Sequence, residues 1–269
     1  MKKKSFDLLA EQYDRDFVDA SIGSAQRKLV YHCLEPLINI PENLRILDLG
    51  CGTGQDITFM AQLGHHIVGI DSSQEMILKS AEKVEKLKLA RHVELKKLEI
   101  IHFLTSVAQD ADFDMIFSNF GALNVLPRDE WDRIVTNVYE KSSEGSYLVL
   151  IMLNAFCLWE TFYFLLTGRW KQAVRRWSRK GVSFTFEKGS MERIYYYTPG
   201  KLNSLFKPLY KVKRVMPIGC FVPPSYLQPF FNSRKGLLDI LFRLDTLALR
   251  LPPLAYLADH FMIIMQKND

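Results

Sequence analysis

Leu47-Asp48-Leu49-Gly50-Cys51-Gly52-Thr53-Gly54-Gln55, followed by Val68-Gly69-Ile70-Asp71, is the stretch that decides the fold. Each segment opens on a short apolar run of strand length. The glycines let the backbone turn sharply from strand to helix and approach a ligand closely. Asp71 closes the second strand 17 residues after Gly54. A carboxylate there can accept hydrogen bonds from two ribose hydroxyls. A merely tight turn would explain one or two glycines, but not three at alternate positions plus the acid. The spacing is G-x-G-x-G rather than the G-x-G-x-x-G of dinucleotide sites, and Asp48 stands just before the turn. A carboxylate so placed disfavours phosphate and favours a cation. The pattern therefore points to a ligand carrying a sulfonium or ammonium group. No G-x-x-x-x-G-K-[ST] phosphate loop is present.

Working outward, the flanking segments alternate in type. Phe6, Leu9, Tyr13 and Phe17 recur at helical spacing, and Ala25 to Leu37 reads as a helix ended near Pro36. Beyond the motif, Gln55–Leu63 and a helix capped by Ser72-Ser73 and running to about Lys88 flank the strand His66–Asp71. Val93–Leu98 and Phe113–Ser118 are expected strands with no helix between them. Pro127–Glu140 is an expected helix and Tyr147–Leu153 a buried strand. Alternation of this kind predicts a parallel sheet covered on both faces. The second half is less regular. One or two helices are expected over Ala155–Lys180, then a hairpin of Val182–Phe186 with Ile194–Tyr197 about a turn containing Gly189. A helix opened by Thr198-Pro199 and one over Leu237–Arg250 are expected, with strands at Tyr210–Pro217 and His260–Lys267.

The 269 residues are 48% apolar and 24% charged, enough apolar side chains for a large core and too ordinary a charge for disorder. Cys33, Cys51, Cys157 and Cys220 lie far apart with no C-x-x-C pair, which argues against a disulfide scaffold or a Cys-based zinc site and for the cytoplasm. Met1-Lys2-Lys3-Lys4 leads into Ser5-Phe6-Asp7 rather than an apolar run, so no signal peptide is expected.

On these residues the sequence resembles the class I S-adenosylmethionine (SAM)-dependent methyltransferases, most strongly from about Phe6 to Leu153. The resemblance implies an α/β, Rossmann-like fold. Its central, mostly parallel, seven-stranded sheet is flanked by helices, with an insert of helices and a β-hairpin after the fifth strand. It divides the chain into N-terminal cap helices (1–41), a SAM-binding core (42–153), an insert serving as lid (154–209) and C-terminal elements completing the sheet (210–269). SAM is the implied cofactor. The loop Gly50, Cys51, Gly52, Gly54 would lie under its methionine part, with Asp48 alongside, and Asp71 would hold its ribose. Ser72 and Met76 would approach the adenine. Leu98-Glu99 stands where family members commonly have Gly-Asp, making Glu99 the adenine candidate. Ser118 and Asn119, with Phe120 and Gly121, would meet the methionine moiety, and Asn124 the substrate. Phe6-Asp7-x-x-Ala10-x-x-Tyr13-Asp14 resembles the cap helix of small-molecule members. There Tyr13 would close over the cofactor and Arg27 would pair with its carboxylate. The periodicity alone also fits an amphipathic surface helix.

Methyl transfer to a nucleophile needs positioning above all, and a base only where the acceptor keeps its proton. No catalytic residue is therefore assigned. His260, next to Asp259, fits an Asp-oriented imidazole or a structural one. Asn119-Phe120-Gly121 is not the [DN]-P-P-[YF] pattern, and no Pro-Cys pair is present. Tyr163, Tyr195, Tyr197 and Phe221 could line an apolar substrate pocket or serve as core. From Cys157 to Arg214 there are 13 Lys/Arg against 3 Glu, in a chain whose net charge is +5. Residues 156–180, with Trp170 and Trp177, could meet a membrane surface or another anionic surface, or only solvent. A nucleic-acid partner is not favoured, since no RNA-binding module accompanies the basic run. The expected partner is a small-molecule substrate, and no metal is expected. An RNA-modifying methyltransferase and a non-catalytic SAM-binding protein are the alternatives.

Overall fold

The computed structural model describes residues 10–105, 112–185 and 191–268. Phe6 and Asp7 of the expected cap helix, and the turn around Gly189, lie outside them. The chain opens with α1 (Ala10–Tyr13) and a π-helical stretch, Asp14–Val18, before α2 (Ser21–Ile38). Then follow β1 (Arg45–Leu49), α3 (Gln55–Gln62), β2 (His66–Asp71), α4 (Gln74–Lys86), β3 (Val93–Lys97), α5 (Ile100–Thr105) and β4 (Phe113–Ser118). After α6 (Trp131–Lys141) and β5 (Ser142–Leu153) come α7 (Leu158–Leu166), α8 (Trp170–Ala173) and the hairpin β6 (Val182–Thr185) and β7 (Met191–Ile194). The chain closes with α9 (Pro199–Phe206), β8 (Tyr210–Ile218), α10 (Gln228–Phe231), α11 (Lys235–Ala248) and β9 (His260–Lys267).

Seven strands form one sheet in the order β3-β2-β1-β4-β5-β9-β8. Neighbours from β3 to β5 are parallel, while β9 runs antiparallel to both β5 and β8. Alternation along β1 sends Leu47 and Leu49 to one face, against Phe103, Trp131 and Phe206. It sends Ile46 to the other, against Leu29, Leu34 and Ile57. Both faces are therefore apolar and covered, as a parallel sheet requires. The strand order reverses between β1 and β4, so the β1 end and its glycine loop open onto a crevice at the carboxyl edge of the sheet.

Local signals explain the boundaries. Ser73 Oγ accepts from Met76 N at the start of α4, and Thr198 Oγ1 accepts from Lys201 N at the start of α9 with Pro199 in its first turn. Three expectations are corrected. The helix expected over Ala25–Leu37 ends at Ile38, much as expected, but begins four residues earlier, at Ser21, where Ile22 is buried in a small core. A helix, α5, does lie between β3 and β4, since the chain must cross over the sheet from its β3 edge to lay β4 parallel beside β1. The strand expected at Tyr147 begins at Ser142, with Gly145 at a positive φ of 68° where the register shifts.

Candidate functional site

Three backbone hydrogen bonds shape the turn after β1. The Ile70 carbonyl accepts from Gly50 N and Cys51 N, both at 2.9 Å, and the Gly54 amide donates to Cys51 O at 3.0 Å. Gly50, Gly52 and Gly54 all have positive φ, at 82°, 53° and 77°. A Cβ on Gly54 would lie 2.2 Å from Ser80 Oγ of α4, whereas one on Gly52 would meet no protein atom within 4 Å. The first glycine contact sets packing, and the second leaves backbone open for a ligand to approach. At the end of β2 the Asp71 carboxylate accepts from Gly52 N through Oδ2 at 3.0 Å and from Ser73 N through Oδ1 at 2.8 Å. Two amides thus fix its orientation at the mouth of the crevice.

The crevice holds two adjoining recesses that share Tyr13, Gly50, Gly52, Asn119 and Phe120. The larger contains about 760 Å³ of empty space and adds Asp71, Ser72, Met76, Glu99, Ile100, Gly121, Ala122, Val125 and Leu126 to its walls. That size and its mixed apolar and acidic lining suit a nucleoside-sized ligand. The smaller, about 290 Å³, is walled by Arg27, Cys51, Thr53, Gln55 and Asp56. Its cation is already neutralised, since Asp56 accepts from Arg27 Nη1, from the Tyr31 hydroxyl at 2.9 Å and from Asn119 Nδ2 at 3.0 Å. Burial works against the Arg27 charge, but Asp56 outweighs it and raises the guanidinium pKa. Arg27 Nε remains buried without a partner, and the guanidinium lies 4.8 Å from the Phe120 ring centre. Arg27, expected to pair with a ligand carboxylate, lines the smaller recess together with its counter-ion Asp56.

Asp48 sits beneath the loop, 1% exposed, with Oδ2 unpartnered. Burial drives its pKa well above the usual carboxylate range, and nearby Asp56 and Asp71 push the same way while Arg27 opposes them. Burial likewise raises the Tyr13 phenol. The segment that carries Tyr13 is tied to the loop. Asp14 accepts from Thr53 Oγ1 at 2.5 Å, and Lys83 Nζ reaches Asp14 Oδ2 at 2.7 Å and Thr53 Oγ1 at 3.2 Å.

Of the residues singled out in the sequence, Tyr13, Gly50, Gly52, Asp71, Ser72, Met76, Glu99 and Asn119 line the larger recess, and Arg27 and Cys51 the smaller. The others stand outside these walls. Ser118 Oγ donates to Leu49 O at 2.8 Å, tying β4 to β1. Asn124 is fully buried and pins the chain: Oδ1 accepts from Leu153 N and Nδ2 donates to the Leu153 and Tyr195 carbonyls. Tyr195 and Tyr197 pack on the sheet, and the Tyr197 hydroxyl accepts from Trp131 Nε1 at 2.7 Å. Tyr163 stacks among Phe164 and Tyr226, and the Phe221 carbonyl accepts from Trp159 Nε1. Residues the sequence reading passed over are Asp56, Tyr31 and Thr53. An acid two positions after Gly54, in the first turn of α3, was the available signal for Asp56.

Two arginines of the basic insert are used internally. Arg175 grips Glu160 with two hydrogen bonds of 2.8 and 3.0 Å. Arg176 bridges Glu160 Oε2 at 2.8 Å and Asp259 Oδ1 at 2.7 Å, and Asp259 Oδ2 lies 3.2 Å from His260 Nδ1. Burial raises both acids, yet their cationic neighbours prevail and hold Glu160 and Asp259 below their ordinary values. This buried cluster clamps α7 and the turn Arg175–Trp177 to the start of β9. The His260 ring meets the edge of Phe120 at 5.4 Å. Among the described residues no group of three or more His, Cys, Asp or Glu side chains is placed to hold a metal ion, and no helix is long and apolar enough to cross a membrane.

Residues 40–154 match the family described as "Methyltransferase domain". An 87-residue stretch is 30% identical to the tRNA 5-carboxymethoxyuridine methyltransferase of Escherichia coli strain K12, covering 32% of this chain and 33% of that protein. The chain thus spans about a third of the length of that relative. The CcbJ methyltransferase of Streptomyces caelestis superimposes over 100% of both chains with a TM-score of 0.63 at 14% identity. The Burkholderia thailandensis 1,6-didemethyltoxoflavin-N1-methyltransferase, solved with that molecule and S-adenosylhomocysteine, superimposes over 97% of this chain and 88% of its own, with a TM-score of 0.53 at 12% identity. At such identities these likenesses speak for the fold.

Proposed function

We propose that this chain, whose residues 40–154 match a methyltransferase-domain family, is a class I, Rossmann-like methyltransferase that transfers a methyl group from SAM to an O, N or C atom of a small, apolar or aromatic molecule. One observation carries the cofactor assignment: the Asp71 carboxylate, oriented by Gly52 N–H and Ser73 N–H, stands at the mouth of a nucleoside-sized crevice.

The residues present fit SAM. Asp71 is placed to accept from ribose hydroxyls, while Ser72, Met76, Glu99 and Ile100 supply a polar edge and apolar walls for a base. Gly52 offers uncovered backbone. The acids around the loop, with Arg27 neutralised by Asp56, suit a ligand bearing a sulfonium and an ammonium and do not suit a pyrophosphate. The bound cofactor supplies an already activated methyl group. This chain's residues bind, orient and exclude water. Tyr13, Asn119 and Phe120 line both recesses, with Asn119 held by its bond to Asp56. The four cysteines are free and buried, consistent with a reducing, cytoplasmic setting.

A small acceptor is supported by the size of the crevice, and two of the insert's cations, Arg175 and Arg176, are committed to Glu160 and Asp259. A tRNA acceptor is the second reading, carried by the stretch shared with the E. coli tRNA enzyme. Incubation with SAM and either a panel of apolar phenols and amines or bulk tRNA, with S-adenosylhomocysteine release followed by mass spectrometry, separates the two. Turnover with a small acceptor is expected. Methylation of tRNA alone would overturn the small-molecule assignment.

A further inference from the structure

The helix α11 carries apolar side chains on two faces. Leu238, Asp245 and Ala248 face inward, and Leu238 joins Ile22, Val222 and Phe231 in a small core. On the opposite side Leu237, Ile240, Leu244 and Leu247 stand in solvent, continued by Leu251, with Leu247 63% exposed. Their spacing of three and four residues makes one continuous stripe. A helix with two apolar faces has a second surface to bury. The insert shows the same thing. Phe162, Leu166, Trp170 and Trp177 are exposed, Leu166 at 85% and Trp170 at 69%. Tyr226 joins the two regions: its ring lies 5.6 Å from Tyr163 and 5.9 Å from Phe164 on α7, and its turn leads directly into α10, where Phe230 is exposed, and α11.

Charge identifies the partner. Around the insert aromatics Arg169, Lys171, Arg179 and Lys180 are exposed, and no acid occurs from 161 to 181. Along α11 the exposed charges are Arg234, Lys235, Arg243 and Arg250 against Asp239. Leucines and aromatics rimmed by arginine and lysine are the pattern of a surface that lies in the headgroup layer of an anionic bilayer, apolar side chains inserted and cations among the phosphates. A second copy would bring basic rim against basic rim, and a nucleic acid would leave the leucine stripe uncovered. We propose that the outward faces of α7, α8 and α11, joined through Tyr226, form a docking surface for an anionic lipid bilayer. This surface does not depend on the methyl-transfer reading, since none of its residues lines the crevice.

Co-sedimentation of the full chain with vesicles of phosphatidylcholine containing phosphatidylglycerol, and with pure phosphatidylcholine vesicles, tests it. Binding at least about tenfold stronger to the anionic vesicles, weakened by added salt, is expected. The double variant Ile240→Glu/Leu247→Glu should lose binding while keeping its melting temperature and its affinity for S-adenosylhomocysteine. Trp170→Ala, on the other element, should weaken binding several-fold. Failure of the folded wild type to bind, equal binding to both vesicle types, or light scattering showing a dimer that Ile240→Glu/Leu247→Glu dissociates without any vesicle binding would each overturn the proposal.

Discussion

The loop after β1 and the insert after β5 meet at the same edge of the sheet but spend their polar groups in opposite ways. In the loop, backbone amides hold Asp71 in place and leave the Gly52 backbone open. In the insert, Arg175 and Arg176 are consumed inside, on Glu160 and Asp259, while Arg169, Lys171, Arg179 and Lys180 stay outside with tryptophan, phenylalanine and leucine side chains. One region is polar toward its ligand and rigid beneath it. The other locks two arginines into the protein and turns apolar side chains, rimmed by its remaining cations, toward its surroundings. Charge content alone therefore misplaces the functional polarity, because an arginine run can be a clamp while its aromatic neighbours carry the contact.

The largest effect should come from breaking the clamp. Arg176→Ala leaves two buried carboxylates short of a partner, and a loss of roughly 3–5 kcal/mol of unfolding free energy is expected in urea titration. The same cluster sets an acid limit. Glu160 and Asp259 titrate lower in the folded chain than unfolded, so the unfolded chain binds protons first as pH falls. Stability from them is full above the unfolded values near about 4 and declines below. A flat stability profile between about pH 5 and pH 3 would contradict the ion-pair account.

Next in size is the loop. Asp71→Asn keeps the shape but removes the charge, and should weaken S-adenosylhomocysteine binding by about 1.5–3 kcal/mol, roughly tenfold to a hundredfold. Its melting temperature should change far less than that of Arg176→Ala, which is the contrast between the two regions in a single pair of variants. The glycines sharpen it further. Gly54→Ala and Gly52→Ala both force a side chain to positive φ, at about 1–2 kcal/mol each. Only Gly54→Ala also drives a Cβ toward Ser80, so it should unfold at the lower temperature, whereas Gly52→Ala should be felt mainly in ligand affinity. The smallest effect is expected from Lys83→Ala. The exposed part of the Lys83–Asp14–Thr53 tie is worth about 0.5–1 kcal/mol at most, seen as weaker ligand binding with little change in stability.

Much of the loop region was legible in the sequence because its information is local. Strand, glycine turn and closing acid sit within 25 residues, from Leu47 to Asp71, and the caps Ser73 and Thr198 act on amides three residues away. The insert was not legible in the same way. Arg176 finds Asp259 across 83 positions, and nothing in a run of basic residues announces so distant a partner. Tyr195 and Tyr197 show the same limit, since an aromatic run reads alike whether it faces a pocket or packs on Trp131. α5 was missed because six residues are too few for a helical period to stand out. Asn124 illustrates a subtler point: placed by resemblance near the substrate, its amide is fully engaged with Leu153 and Tyr195.

Calorimetric titration of the wild-type chain and of Asp71→Ala with S-adenosylhomocysteine tests the central claim most directly. Saturable one-to-one binding by the wild type that collapses in a folded Asp71→Ala variant is the expected result. Absence of binding by the folded wild type, or equal binding by both, would contradict the assignment of the crevice beside Gly52 and Asp71 as the cofactor site.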